Sequence, residues 1–128
     1  MTVGRGGSSG VGGRRILIVD DDPGIRSVLA DLLADEGYAT LVASDGAEAL
    51  EVLSRTTVDV VLLDMRMPGM DGWEFSRRYR NFPGPRAPIL VMTAAQDAWK
   101  WSEEIGAEGC LAKPFEYDAI LDALEKVG

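Results

Sequence analysis

The chain alternates between short unbroken apolar runs and longer stretches of helical periodicity. Residues 16–19 (Ile-Leu-Ile-Val) form a continuous apolar run, the mark of a strand buried on both faces. Asp22-Pro23 then reads as a helix N-cap followed by its first residue. Ile25, Val28, Leu29 and Leu32 recur at helical spacing, and Gly37 stops the helix. Residues 38–42 predict a second strand. Asp45 and Glu48 form a capping-box-like D-x-x-E ahead of a helix carrying Ala47, Leu50 and Leu53. Residues 58–63 predict a third strand, and Met67-Pro68-Gly69 a turn. Asp71 and Glu74 repeat the capping signal before a helix with Phe75, Tyr79 and Phe82 on one face, which the Pro83–Pro85 region ends. Residues 89–92 predict a fourth strand. Residues 97–105 predict a weaker helix with Ala98, Trp101 and Ile105 on one side. Residues 110–112 predict a fifth strand. Lys113-Pro114 ends it, and Tyr117, Ile120, Leu121, Leu124 and Val127 define a last helix.

A strand followed by a helix, five times over, builds a parallel sheet with helices on both faces and right-handed crossovers. For so short a chain the pattern predicts an α/β fold with a five-stranded parallel sheet in the flavodoxin-like order 2-1-3-4-5.

The length of 128 residues supports one domain and not two. The first 13 residues hold 6 of the 15 glycines, which predicts a flexible tail at residues 1–13 and a folded domain over residues 14–128. The tail lacks the Gly-Lys-Ser/Thr run of a phosphate-binding loop. No apolar run approaches a membrane span, and glycine and serine stand where a signal peptide needs apolar residues. A single cysteine, Cys110, cannot form an internal disulfide, which points to a reducing, cytoplasmic compartment.

Charge and missing residue types narrow the chemistry. The net charge of −8 argues against a nucleic-acid partner, which needs a basic face. With no histidine, a catalytic imidazole, a His-ligated zinc and a phosphohistidine in this chain are all excluded. Carboxylates remain, and they suit hard cations such as Mg²⁺.

In open α/β sheets ligands bind beyond the carboxyl ends of the strands. Asp20, Asp21 and Asp22 follow the first strand, Asp64 the third, Thr93 the fourth and Lys113 the fifth. Taken singly, each has a plain structural reading: Asp22 as a cap, Asp64 as the start of a turn, Thr93 as a strand end, Lys113 as a solvated charge. Adjacent Asp20 and Asp21 are harder to dismiss, because paired carboxylates at a strand end need a cation or water between them. A carboxylate pair can hold Mg²⁺. A further carboxylate beside that ion can attack phosphorus to give an aspartyl phosphate. A metal, an ammonium and a hydroxyl can then stabilise the phosphoryl oxygens. No general base is needed.

The motifs ILIVDDDPGIR, VVLLDMRMPGMDGWE, ILVMTA and LAKPF resemble, in order and spacing, the receiver domain of two-component response regulators in its single-domain, CheY-like form. The resemblance runs from Arg14 to the end of the chain. It implies that Asp64 is the phosphoacceptor, that Asp20 and Asp21 hold Mg²⁺ with Asp64 and the backbone carbonyl of Arg66, and that Thr93 and Lys113 contact the phosphoryl group. It also implies a cis Lys113-Pro114 bond. The partners it implies are a sensor histidine kinase or histidine phosphotransfer protein, and an output protein on the face formed by the fourth helix, fifth strand and fifth helix. Such a domain is a signalling protein that catalyses only its own phosphorylation and dephosphorylation.

One position departs from the pattern: Cys110 stands three residues before Lys113, where the family usually has Tyr or Phe. Trp99 and Trp101 are candidates to supply the missing bulk. The Arg66 side chain stands beside the acceptor, either as a solvated charge offsetting the acids or as an influence on water attack. Two other functions remain open. In a haloacid-dehalogenase-like phosphohydrolase, Asp20-Asp21-Asp22 would supply the D-x-D, but Gly24 stands where Thr or Val belongs and there is no room for a cap. A phosphorylation-independent binding module of receiver fold has only Cys110 in its favour.

Overall fold

The computed structural model describes residues 14–127, so the tail expected at residues 1–13 lies outside the described residues, as does Gly128. Five strands alternate with five helices. They are β1 (Arg15–Val19), α1 (Pro23–Asp35), β2 (Ala39–Ala43), α2 (Gly46–Arg55), β3 (Val60–Asp64), α3 (Gly72–Arg80), β4 (Ile89–Ala94), α4 (Ala95–Ile105), β5 (Gly109–Lys113) and α5 (Tyr117–Val127). The sheet is parallel throughout, in the order β2-β1-β3-β4-β5, as the apolar runs predict.

The period of two along each strand divides the interior into two layers. Leu17, Val19, Val61, Leu63, Ile89 and Val91 point to one side, where Phe75 and Tyr79 of α3 and Ile105 of α4 pack on them. Ile16, Ile18, Val60, Leu62, Leu90, Met92 and Leu111 point to the other, against Leu29 and Leu33 of α1 and Ile120 and Leu124 of α5. At about 25 cal/mol per Å² of apolar surface, these two dry layers are the main force holding the sheet.

The helix starts follow the caps read in the sequence. Asp22 accepts from the Gly24 N–H at 2.8 Å, Asp45 from Glu48 at 2.8 Å and Asp71 from Glu74 at 2.9 Å. α4 begins at Ala95, two residues before the expected start, with Ala94 making no side-chain cap. The third strand runs Val60–Asp64 and the fourth Ile89–Ala94, so Asp64 and Thr93 are strand residues and not the first residues after strands. Val28 shares the apolar spacing of α1 yet is 59% exposed; Leu29 and Leu33 make the deep contacts instead. Val28 lies beside Phe115 and Pro114 on an open groove between α1 and the start of α5. The Lys113-Pro114 bond is cis.

Gly72 fixes how α3 approaches the end of β3. A Cβ there would lie 2.5 Å from Met65 Sδ, 2.8 Å from Met65 Cα and 3.3 Å from the Asp64 carbonyl oxygen. Helix propensity alone would favour alanine by about 1 kcal/mol, but the backbone contact reverses the sign. Gly72→Ala is expected to destabilise the domain by about 1–3 kcal/mol, read as a lower urea midpoint at unchanged m. A variant as stable as wild type would show that the segment after β3 gives way freely.

Candidate functional site

The two-residue period that builds the core also builds the site. On the α1/α5 side of the sheet, the column Ile16-Ile18 continues to Asp20, Val60-Leu62 continues to Asp64, and Leu111 continues to Lys113. Each chain therefore carries its next in-facing residue past the apolar layer to the carboxyl rim. Asp20 is fully buried and Asp64 is 5% exposed. Lys113 bridges them, its Nζ 2.8 Å from Asp20 Oδ2 and 3.5 Å from Asp64 Oδ1.

Backbone donors complete the cluster. The Asp22 N–H donates to Asp20 Oδ1 at 2.9 Å, and the Arg66 N–H to Asp64 Oδ1 at 3.4 Å. Arg26 Nη1 donates to the Asp20 carbonyl at 2.7 Å, which fixes the turn into α1. Asp22 spends its carboxylate on the α1 N-terminus, as expected. Asp20, Asp21 and Asp64 each offer an oxygen such that all three lie within 4.8 Å of one another. Three hard, anionic donors at that spacing, one of them exposed, suit an oxygen-loving divalent cation that keeps several waters.

Burial pushes the Asp64 carboxyl up to about 6, with the Asp20 carboxylate adding to the rise and Lys113 opposing it. Burial also works against the Lys113 ammonium. Its hydrogen bond to Asp20 and the charges of Asp64 and Asp20 outweigh that and hold it above its ordinary value. The site is thus a partly compensated excess of negative charge.

Of the residues singled out in the sequence, Asp20, Asp21, Asp64 and Lys113 meet directly. Arg66 joins through its N–H. Thr93 is buried at the same rim, on the opposite face of β4 from Met92 and beside Ala112 of β5. Among the described residues no hydrogen bond ties its hydroxyl to the cluster. Cys110 is half-buried on the α3/α4 side of the sheet. Trp101 packs into that layer, whereas Trp99 is 67% exposed and leaves the opposite side of α4. Of the two, only Trp101 therefore adds bulk to the layer that Cys110 also lines.

Sequence reading missed one group beside the site. The Trp73 and Trp101 rings meet edge to face, centroids 4.9 Å apart, and Trp73 Nε1 donates to Glu104 Oε1 at 2.9 Å. The Arg66 guanidinium lies over Trp101, 5.7 Å from the ring centroid. The aromatic at the start of α3 was the available signal, but its partner is 28 residues further along and no spacing rule connects them.

Residues 16–125 match the response regulator receiver domain family, and the chain belongs to it. It is 42% identical over 114 residues to sporulation initiation phosphotransferase F of Bacillus subtilis, covering 88% of this chain and 91% of that one. It is 41% identical over 112 residues to sensor histidine kinase RcsC of Escherichia coli, covering 85% of this chain but only 12% of the kinase. The fold matches that of response regulator TrrA of Thermotoga maritima, solved in complex with Mg²⁺-BeF, with TM-score 0.79 and 33% identity over 90% of this chain and 99% of that one. This is a phosphoryl-accepting signalling domain rather than a classical enzyme. The membership leaves the haloacid-dehalogenase reading without support. Among the described residues no helix is long and apolar enough to cross a membrane.

Raising a carboxyl from 3.8 to about 6 on folding favours the protonated form. The associated stability is present below the unfolded value and is lost as pH rises through about 6. In chelator at pH 7.5, Asp64→Asn is therefore expected to be more stable than wild type by about 1–3 kcal/mol, the gap closing toward pH 4. Equal urea midpoints at both pH values would show that Asp64 carries no such penalty.

Proposed function

We propose that Asp64 is the phosphoacceptor of a signalling switch, charged by a sensor histidine kinase or a histidine phosphotransfer protein. The observation that carries this is a buried carboxylate gripped by Lys113 with two further carboxylates beside it. At neutral pH a group titrating near 6 is mostly ionised, so an Asp64 oxygen is ready as nucleophile without a base. It attacks the phosphorus of the donor phosphohistidine. The new O–P bond forms as the P–N bond breaks, and the donor imidazole leaves.

Asp20, Asp21 and Asp64, with the Arg66 carbonyl, would hold Mg²⁺. When bound, that ion supplies neutralisation of the charge that builds on the phosphoryl oxygens. The Lys113 ammonium, now on Asp20, is within reach of a phosphoryl group on Asp64 and offers it further donors. Thr93 supplies a hydroxyl at the same rim, and its movement toward the new group is the step that passes the change to α4. Water attack on the acyl phosphate ends the signal, so the only reactions the domain promotes are on itself.

The output partner docks on the α4/β5/α5 face, where Trp99 offers an exposed ring of the kind enriched in interface anchors. A lone unpaired thiol at Cys110 suits a reducing, cytoplasmic setting.

Incubation with Mg²⁺ and acetyl phosphate is expected to add one labile phosphoryl group, about 80 Da by intact mass, absent in Asp64→Asn and in chelator. Lys113→Ala is expected to slow the gain about 10²-fold, the usual effect of removing one donor to a developing anion. No adduct with acetyl phosphate and none with a phosphorylated histidine donor would sink the acceptor reading and favour a phosphorylation-independent binding module.

A further inference from the structure

Arg66 is placed oddly for its charge. It is exposed, two residues past Asp64, and its backbone N–H already touches that carboxylate. Three carboxylates gather next to it. Yet among the described residues no carboxylate lies within 4 Å of its guanidinium. The guanidinium instead faces the Trp101 indole at 5.7 Å, inside the range of a cation–π contact.

The ring beneath it is held by a second indole. Trp101 is half-buried in the α3/α4 layer, Trp73 packs against its edge, and Glu104 holds the Trp73 N–H. The platform belongs to α3 and α4, and the cation belongs to the loop leaving β3. The contact therefore ties the acceptor loop to α4, with the arginine as its one long, exposed and flexible member.

We propose that Arg66 is a shuttling cation with two docking places, the face of Trp101 when Asp64 is free and the phosphoryl oxygens when Asp64 is charged. Trp101 is then a positioning residue that sets how readily the charged state forms. The inference rests on the reading of Asp64 as phosphoacceptor and adds the device by which this chain senses the group. A phosphoryl group brings about −1.5 to −2 charge and three strong acceptors, and guanidinium binds such oxygens in a bidentate, charge-assisted way that an exposed indole face cannot match. When Arg66 leaves, the tie to α4 is released. By reciprocity, a partner that holds α4 so that Trp101 keeps Arg66 opposes phosphorylation, and one that draws α4 away favours it. Because Cys110 offers no ring on this side of the sheet, the aromatic part of the coupling lies between α3 and α4.

The chain has three tryptophans, so a Trp99→Phe background leaves emission to Trp73 and Trp101. Beryllofluoride with Mg²⁺ serves as the phosphoryl mimic, its binding followed independently by ¹⁹F NMR. Emission is expected to change on saturation, and to change markedly less in Arg66→Leu although the mimic still binds. Trp101→Leu is expected to tighten binding about 2–5-fold, the size of an exposed cation–π contact, and Trp101→Phe to tighten it less. Neither change at Trp101 is expected to alter affinity once Arg66 is Leu.

Binding with unchanged affinity in both Trp101 variants would overturn the proposal. So would the same tightening with or without Arg66, since a purely structural ring would act in both backgrounds. If wild type bound no mimic and gained no phosphoryl mass, the acceptor reading itself would fall, and the shuttle with it.

Discussion

Three carboxylates share one rim of the sheet, and a single ammonium faces two of them. That imbalance is the constraint on which the rest of the structure depends. Asp20 and Asp64 are buried, so their repulsion is felt through protein and not through water, where it would be far weaker. Lys113 offsets part of it at 2.8 and 3.5 Å. Burial, together with what remains of that repulsion, displaces the Asp64 carboxyl upward. A protein selected for stability alone would not keep such a cluster. The two apolar layers supply the rigidity that holds these charges where they would otherwise separate.

The division of the sheet into two faces also divides the work. The column ends on the α1/α5 side carry Asp20, Asp64 and Lys113, the groups proposed to meet a phosphoryl donor. The other side carries Thr93, Cys110 and the Trp73–Trp101 pair, next to α4, the helix on the proposed output face. Thr93 lies at the junction, at the rim with the acids but on the opposite column from Met92. The half-turn between successive strand residues is thus what separates the acidic cluster from the aromatic pair.

Much of this was legible in the sequence because the signals were local. Short runs rich in apolar residues marked the strands, D-x-x-E patterns marked the starts of α2 and α3, and the rule that ligands gather at carboxyl ends picked out Asp20, Asp21, Asp64 and Lys113. What stayed hidden depended on tertiary placement. Val28 has the spacing of a core residue, but the depth of the α1 contact lets only Leu29 and Leu33 reach the interior. The two-residue earlier start of α4 was not legible because Ala94 offers no polar cap to read. The Arg66–Trp101–Trp73–Glu104 chain joins three elements at separations no periodicity can report. Each residue in it is unremarkable alone.

Lys113 is the last residue of β5, and β5 lies at the edge of the sheet, paired to β4 on one side only. Edge strands open more readily than central ones, and amide protons on them exchange sooner. The cation that restrains the acidic rim therefore rides on an edge strand, while the acids stand at the carboxyl ends of β1 and β3 in the middle of the sheet. A local opening of β5 would strip Asp20 of its partner and leave the rim more negative and more attractive to any cation, Lys113 included. The pairing of one edge strand and the charge balance of the rim are in this way coupled through a single side chain.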